Sequence, residues 1–205
     1  MQDFGLIETL LWTRQEGYFL LPEHLRRMGA SASALGFAFD EPRLRSALEE
    51  AVACAASERL RLRLVLTREG AHELGVEPIE PVARETLWRV AVAKRRFSSV
   101  EPMLRHKTTR REIYEEELAG SGADEVLFLN ERDEVCEGAR TNVFLAQGET
   151  LLTPPLASGL LPGTLRARLL AEGKAREDYL ALEDLENREF FMGNSVRGLV
   201  RARLA

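Results

Sequence analysis

The chain has 205 residues, 45% hydrophobic and 30% charged, with a formal net charge of −5, which fits a globular protein of one or two domains. The acidity counts against nucleic acid as a partner, because phosphate binding needs a broad basic surface, and no apolar run is long enough to span a membrane. Cys54 and Cys136 give neither a disulfide framework nor metal-ligand spacing, and the start MQDFGLIETLLW lacks the features of a signal peptide, so a cytoplasmic protein without a metal is expected.

Residues 6–12 (LIETLLW) and 17–21 (GYFLL) read as two strands joined by a polar turn. Pro22 then suits a first helical turn, and Leu25, Met28, Ala32 and Leu35 recur at helical spacing. A second helix over roughly 42–56 carries Leu44, Leu48 and Val52 on one face. In residues 61–70 the leucines alternate cleanly from Leu60 to Leu66, which predicts a half-buried strand. The segment 70–83 has two prolines and two glycines and reads as a loop or linker, so a domain boundary is set near residue 83. Strand character resumes at 87–95, and the basic stretch RHKTTRR runs into a helix. Segments 124–130, 134–147 and 149–155 form an antiparallel series, 158–174 passes from a turn into a helix, and 189–205 reads as strand, turn and strand. The expectation is an α+β protein, with a small α/β domain over 1–83 and a larger β-rich domain with helices over 84–205.

Four features of the second half can carry chemistry. Lys107 lies between a histidine and two threonines, either as a reactive amine or as part of a solvated basic face. Glu137 sits in an apolar, strand-like context with Asn142 five residues on; it is either paired or an edge-strand carboxylate facing water, because burying a lone charge is costly. In GLLPGTLR, glycines lead into a helix at about Thr164, either an ordinary turn or a helix N-terminus open to a phosphate. In MGNSVRG, Gly193, Asn194 and Ser195 offer donors to an anion or simply make a hairpin turn. Together, an amine, a carboxylate and two anion sites suit an aldehyde, a protonated ring nitrogen and a phosphate, the functional groups of pyridoxal 5′-phosphate.

In order along the chain, IETL, HLRRM, HKTTR, the long stretch DEVLFLNERDEVCEGARTNVF, GLLPGTLR and MGNSVRGLV resemble the motifs of the class-IV aminotransferase family. These are the fold-type-IV pyridoxal-phosphate enzymes, among them branched-chain aminotransferases, D-amino acid aminotransferases and 4-amino-4-deoxychorismate lyase. The chain departs from the family pattern in beginning almost at IETL, in having Arg201-Ala202 after the last turn, and in having Tyr114 as the first tyrosine after the lysine.

The resemblance implies a two-domain fold with a β-rich pseudo-barrel, a homodimer, and a cofactor between the domains. It implies that Lys107 is the Schiff-base lysine and the base that moves the substrate α-proton, and that Glu137 pairs with the pyridine nitrogen. The N–H groups of Thr164 and Leu165, with Asn194 and Ser195, would hold the phosphate, and Arg27 would add a charge-assisted contact. Arg96, Arg105, Tyr114 and Arg197 are the candidates on the substrate side. The NSVRG turn and the compact HKTTRR segment are more similar to the lyase branch, whose reaction releases pyruvate to leave p-aminobenzoate for folate synthesis. Amino-group transfer between an amino acid and a 2-oxo acid is the competing reading. A cofactor-binding homologue without turnover would lack the lysine or the glutamate, and an RNA-binding module built on residues 105–111 would need a wide basic face with aromatics.

Overall fold

The computed structural model of the protein describes residues 4–205 and divides into two compact units. One comprises the residues up to Pro81 together with His106–Arg110; the other comprises Val82–Arg105 and Arg111–Ala205.

The first unit holds a four-stranded antiparallel sheet of β1 (Leu6–Thr13), β2 (Gly17–Tyr18), β3 (Arg59–Leu66) and β4 (His72–Pro78), in the order β2-β1-β3-β4. Helices α1 (Leu21–Leu35) and α2 (Glu41–Ala53) cover one face. The alternation in β3 does what its pattern predicts: Leu60, Leu62, Leu64 and Leu66 are buried against Leu6 and Leu10 of β1, Leu25, Met28 and Ala32 of α1, and Leu44 and Leu48 of α2. Asp40 caps α2 by accepting the Arg43 N–H at 3.1 Å.

Three expectations need correction here. The strand over 17–21 is only two residues long, because Leu20 adopts a left-handed conformation (φ 57°) that turns the chain into α1, with Pro22 in its first turn. The linker expected over 70–83 contains β4, which pairs with β3 from His72↔Leu66 to Pro78↔Leu60. β4 lies at the sheet edge and is largely exposed, a position that tolerates Gly75 and a terminal Pro78. The third concerns Lys107, expected in the second domain with a helix starting at once behind it. Instead the segment runs extended beside β1: Leu6 bridges Thr108, Ile7 N–H donates to Lys107 O at 2.9 Å, and Thr109 N–H donates to Gly5 O at 2.9 Å. Two consecutive β-branched threonines favour this extended pairing.

The second unit is built from β5 (Leu87–Phe97), α3 (Glu112–Ser121), β6 (Glu125–Asn130), β7 (Val135–Gly138), β8 (Asn142–Gln147), β9 (Thr150–Thr153), α4 (Thr164–Ala171), β10 (Ala175–Glu177), β11 (Phe190–Asn194) and β12 (Gly198–Leu204). The sheet order is β10-β9-β8-β11-β12-β5-β6-β7, and a further β7–β8 pairing closes six of these strands into a barrel. The expected pseudo-barrel is therefore present. β6 through β9 pair antiparallel in series, while β5 runs parallel to both β6 and β12. Its interior is filled by residues such as Leu127, Val143, Phe190 and Met192, all fully buried.

At the centre of the first unit lies a carboxylate. Glu8, on β1, is 1% exposed; it accepts Arg27 Nε and Nη2 at 2.8 and 2.6 Å and meets His24 Nδ1 at 2.6 Å. Burial by itself would raise its pKa, but the Arg27 charge and the bonds from His24 and Arg27 outweigh this and hold it at about 2, against an ordinary 4.5. A depressed carboxylate stabilises the fold above the unfolded pKa and loses that contribution as pH falls through the folded one, here between 4.5 and about 2. The contribution is of order 3 kcal/mol. In urea unfolding, wild type should therefore exceed Glu8→Gln most above pH 4.5, with the gap narrowing as pH falls toward 2; a pH-independent gap would refute this account.

Candidate active site

Glu137 lies on β7, directly opposite Asn142 on β8, and Asn142 in turn pairs with Gly193 on β11. The register thus lines up the predicted carboxylate, an asparagine and the start of the second polar turn. Glu137 is 4% exposed, which excludes the solvated edge-strand alternative. Its Oε1 accepts the Tyr114 hydroxyl at 2.9 Å and its Oε2 accepts the Leu161 N–H at 3.1 Å. Tyr114 comes from α3 and packs its ring against Phe97 and Phe128, with centroids at 5.3 and 5.2 Å. Burial, the Glu137 charge and the hydrogen bond to it together push the Tyr114 phenol well above its ordinary value, so it stays protonated and acts as the donor.

Asn142 extends the arrangement toward α4. Its Nδ2 donates to Leu161 O at 3.1 Å, and a Cβ added at Gly163 would collide with its Oδ1. Glycine is thus needed for Asn142 to approach the start of α4 so closely. Gly163 caps α4 without a side-chain hydrogen bond, and Thr164 and Leu165 are buried as the first two helical residues. The first N–H groups of a helix have no acceptor within it and sit at the positive end of its dipole.

The turn between β11 and β12 is shaped by Asn194. Its Oδ1 accepts the N–H groups of Val196 at 3.0 Å and Arg197 at 2.9 Å, and its Nδ2 donates to Arg140 O at 3.1 Å. The Asn194 side chain thus builds the turn, and Ser195 is buried within it. A second buried carboxylate, Glu125 on β6, ties down the connection between β7 and β8. It accepts Ala139 N–H at 3.0 Å, Arg140 N–H at 3.2 Å and the Thr141 hydroxyl at 3.2 Å. Burial raises its pKa, and these donors work against that rise.

The remaining predicted residues fall as follows. Lys107 is half-buried in the first unit, its carbonyl held by β1, and its neighbour His106 places Nδ1 at 2.9 Å from Ser31 Oγ on α1. Arg27 belongs to the same unit and grips Glu8. Within the second unit Arg96 is exposed beside Asp133 at 3.3 Å, Arg105 is exposed and donates to Leu156 O at 3.2 Å, and Arg197 is exposed near the Trp88 ring, 5.9 Å from its centroid. Sequence reasoning gave no role to Asn142, Leu161, Glu125, Glu8 or His24. For Glu8 a signal existed: His24 and Arg27 are three residues apart, on one helix face.

Comparison with known proteins bears on the family. Residues 5–205 match the family described as amino-transferase class IV. A Schizosaccharomyces pombe protein named "Putative aminodeoxychorismate lyase" is 31% identical over 214 residues, covering 100% of this chain and 91% of that protein. The crystal structure of a "Putative amino-acid aminotransferase" from Mesorhizobium loti superposes with a TM-score of 0.94 at 42% identity, covering 99% of this chain and 100% of that one. The PLP-bound form of "a hypothetical aminotransferase" from Mycobacterium tuberculosis gives a TM-score of 0.82 at 25% identity, over 98% of this chain and 81% of that one. The chain belongs to amino-transferase class IV and is a pyridoxal-phosphate-dependent enzyme.

Proposed function

We propose that this enzyme binds pyridoxal 5′-phosphate through Lys107 and Glu137 and releases pyruvate from 4-amino-4-deoxychorismate, leaving p-aminobenzoate for folate synthesis. The observation that carries the cofactor assignment is the buried Glu137 carboxylate held by Tyr114 and Leu161. A carboxylate has about four acceptor positions, so this geometry is compatible with a further N–H donor from a pyridinium ring. The close approach at Gly163, with the helix start at Thr164 and Leu165, suits a phosphate. Both features fit the cofactor.

Bound there, pyridoxal phosphate supplies an electron sink for the pair left when the substrate loses a proton. Lys107 would hold the cofactor through its amine and, once the substrate amine has displaced it, would be the base that moves that proton. Glu137 would pair with the ring nitrogen and favour its protonated form, while Tyr114 and the Leu161 N–H fix its two oxygens. Thr164 and Leu165 N–H groups and Ser195 bind the phosphate, with Asn194 shaping the turn that presents Ser195 and Arg27 contributing its guanidinium. Arg96, Arg105 and Arg197 are the proposed contacts for substrate carboxylates, and Tyr114 borders the substrate side through Glu137. The enzyme acts as a cytoplasmic homodimer on a small amino compound.

The lyase assignment is supported by the whole-chain match to the S. pombe protein. The 42% match to the M. loti protein favours a second reading, amino-group exchange with a 2-oxo acid.

Lys107→Ala should abolish the yellow absorption of the purified protein and lower turnover by at least about 10²-fold, the low end for a positioned proton-transfer group; a mutant that keeps the wild-type spectrum removes Lys107 from this role. Glu137→Gln should retain bound cofactor while losing about 10²–10⁴-fold in turnover, read by stopped-assay kinetics, since the ring nitrogen loses its anionic partner. Purified enzyme given aminodeoxychorismate should release pyruvate without any added 2-oxo acid. Strict dependence on a 2-oxo acid, with no pyruvate formed, would assign the transaminase reading instead.

A further inference from the structure

Glu137 is one of two points at which the β6–β7 region holds the segment leading into α4. Just before β7, Glu134 accepts the Ser158 hydroxyl at 3.0 Å. Ser158 O in turn accepts Asn130 Nδ2 at 3.0 Å and the Cys136 thiol at 3.1 Å. Ser158 is fully buried, with both its hydroxyl and its carbonyl tied to the hairpin between β6 and β7. Three residues on, the Leu161 N–H donates to Glu137 Oε2 at 3.1 Å. The two attachments are therefore three residues apart on each side, Glu134 to Ser158 and Glu137 to Leu161, all within the second unit. Between them Leu160 is fully buried in a cluster with Phe97, Phe128 and Cys136, and such close packing resists sliding of the segment.

Glu134 is itself held in place. Arg132 lays Nε on its Oε1 at 3.0 Å and Nη2 on its Oε2 at 2.7 Å, and Asn130 Nδ2 donates to Oε2 at 2.8 Å. The same guanidinium reaches Ala157 O at 3.1 Å and Ser99 Oγ at 2.6 Å, so it binds the hairpin, the residue before Ser158 and the chain just after β5. The Arg132 bond, opposed by burial and joined by those from Asn130 and Ser158, lowers the Glu134 pKa from 4.5 to about 2. A charged acceptor of this kind directs its donors more firmly than a neutral one.

We propose that Glu134 is a positioning residue for Glu137: by fixing Ser158 it fixes the Leu161 N–H, and with it the orientation in which the Glu137 carboxylate meets the cofactor's ring nitrogen. The proposal rests on the reading of Glu137 as the partner of that nitrogen. A donor whose place is set independently of its acceptor holds the acceptor still, whereas a donor that can follow it does not. Leu161 meets this condition on both sides, because its carbonyl also accepts Asn142 Nδ2 at 3.1 Å.

The test uses two ligands that differ only at the ring nitrogen: pyridoxal 5′-phosphate and its carbocyclic analogue, with C–H in that place. Full-length protein freed of cofactor is titrated with each by calorimetry, for wild type, Glu134→Ala, Glu134→Gln and Ser158→Ala. Amide hydrogen exchange is followed in the same cofactor-free samples. Glu134→Ala should weaken pyridoxal phosphate about three- to tenfold, the range for one lost hydrogen bond, and leave the analogue within about twofold. It should also quicken exchange of the Leu161 amide about tenfold while the β6 amides keep their rates. Glu134→Gln keeps an acceptor for Ser158 and should recover part of both effects. Ser158→Ala cuts the same link from its other end and serves if Glu134→Ala does not fold. Equal weakening of both ligands, no weakening of either, or Leu161 exchange that rises no more than that of β6 overturns the proposal. A purely structural role predicts such a general loosening. Wild type that binds the two ligands alike overturns the reading of Glu137, and wild type that takes up neither overturns the cofactor reading; the positioning role falls with either.

Discussion

An ionised carboxylate taken out of water loses several kcal/mol of solvation unless protein donors replace the water. Three glutamates here, Glu8, Glu125 and Glu137, are no more than 4% exposed, and the structure around each answers that cost. Glu8 is met by a guanidinium and an imidazole, Glu125 by three backbone N–H groups and a hydroxyl, and Glu137 by, among others, a phenol and a backbone N–H. The donors differ in kind, and so do the consequences. The Arg27 charge and the bonds from His24 and Arg27 hold Glu8 low, at about 2, whereas burial leaves Glu125 above its ordinary value despite its donors. Glu137 counts a neutral phenol and a backbone N–H among its donors.

The second constraint is backbone proximity. Asn142 can tie β8 to the segment before α4 only because Gly163 has no side chain. A Cβ at Gly138, where β7 ends, would collide with Thr141 and Met192, and one at Gly193 would lie 2.8 Å from Leu199 and 3.0 Å from Phe144. These three glycines lie around the β7–β8–β11 register that lines up Glu137, Asn142 and the second turn. Barrel closure through β7 and β8 is therefore part of the site, since without that pairing Glu137 and Asn142 would not face each other.

Much of this was legible in the sequence, and the failures have physical causes. Strand β3 and helix α1 followed from simple periodicity because one face of each is buried. Glu137 and the α4 start were legible because local motifs carry them. β4 was not: its glycine and prolines read as a linker, and only the edge position it takes beside β3 makes them acceptable in a strand. The extended run at Lys107 was missed for a related reason. A helix follows at Glu112, and nothing local to the lysine reveals that β1, a hundred residues earlier, supplies its partners. The Glu8 cluster was harder to read because its partners, His24 and Arg27, are brought to it by a different element.

The same contrast bears on how one family can hold enzymes with different reactions. Glu137, Asn142, Thr164 and Leu165 are buried on or beside regular elements whose register fixes them, whereas Arg96, Arg105 and Arg197 are exposed. Residues on a rigid frame resist change because moving one strains its neighbours; exposed side chains at strand ends and turns can be exchanged at little cost to stability. A fold divided in this way keeps its cofactor chemistry while its substrate contacts drift. A relative named for amino-group transfer and another named for lyase chemistry can then match one chain over nearly its full length. Overall similarity over the whole chain follows the shared fold and does not by itself single out one of the two reactions.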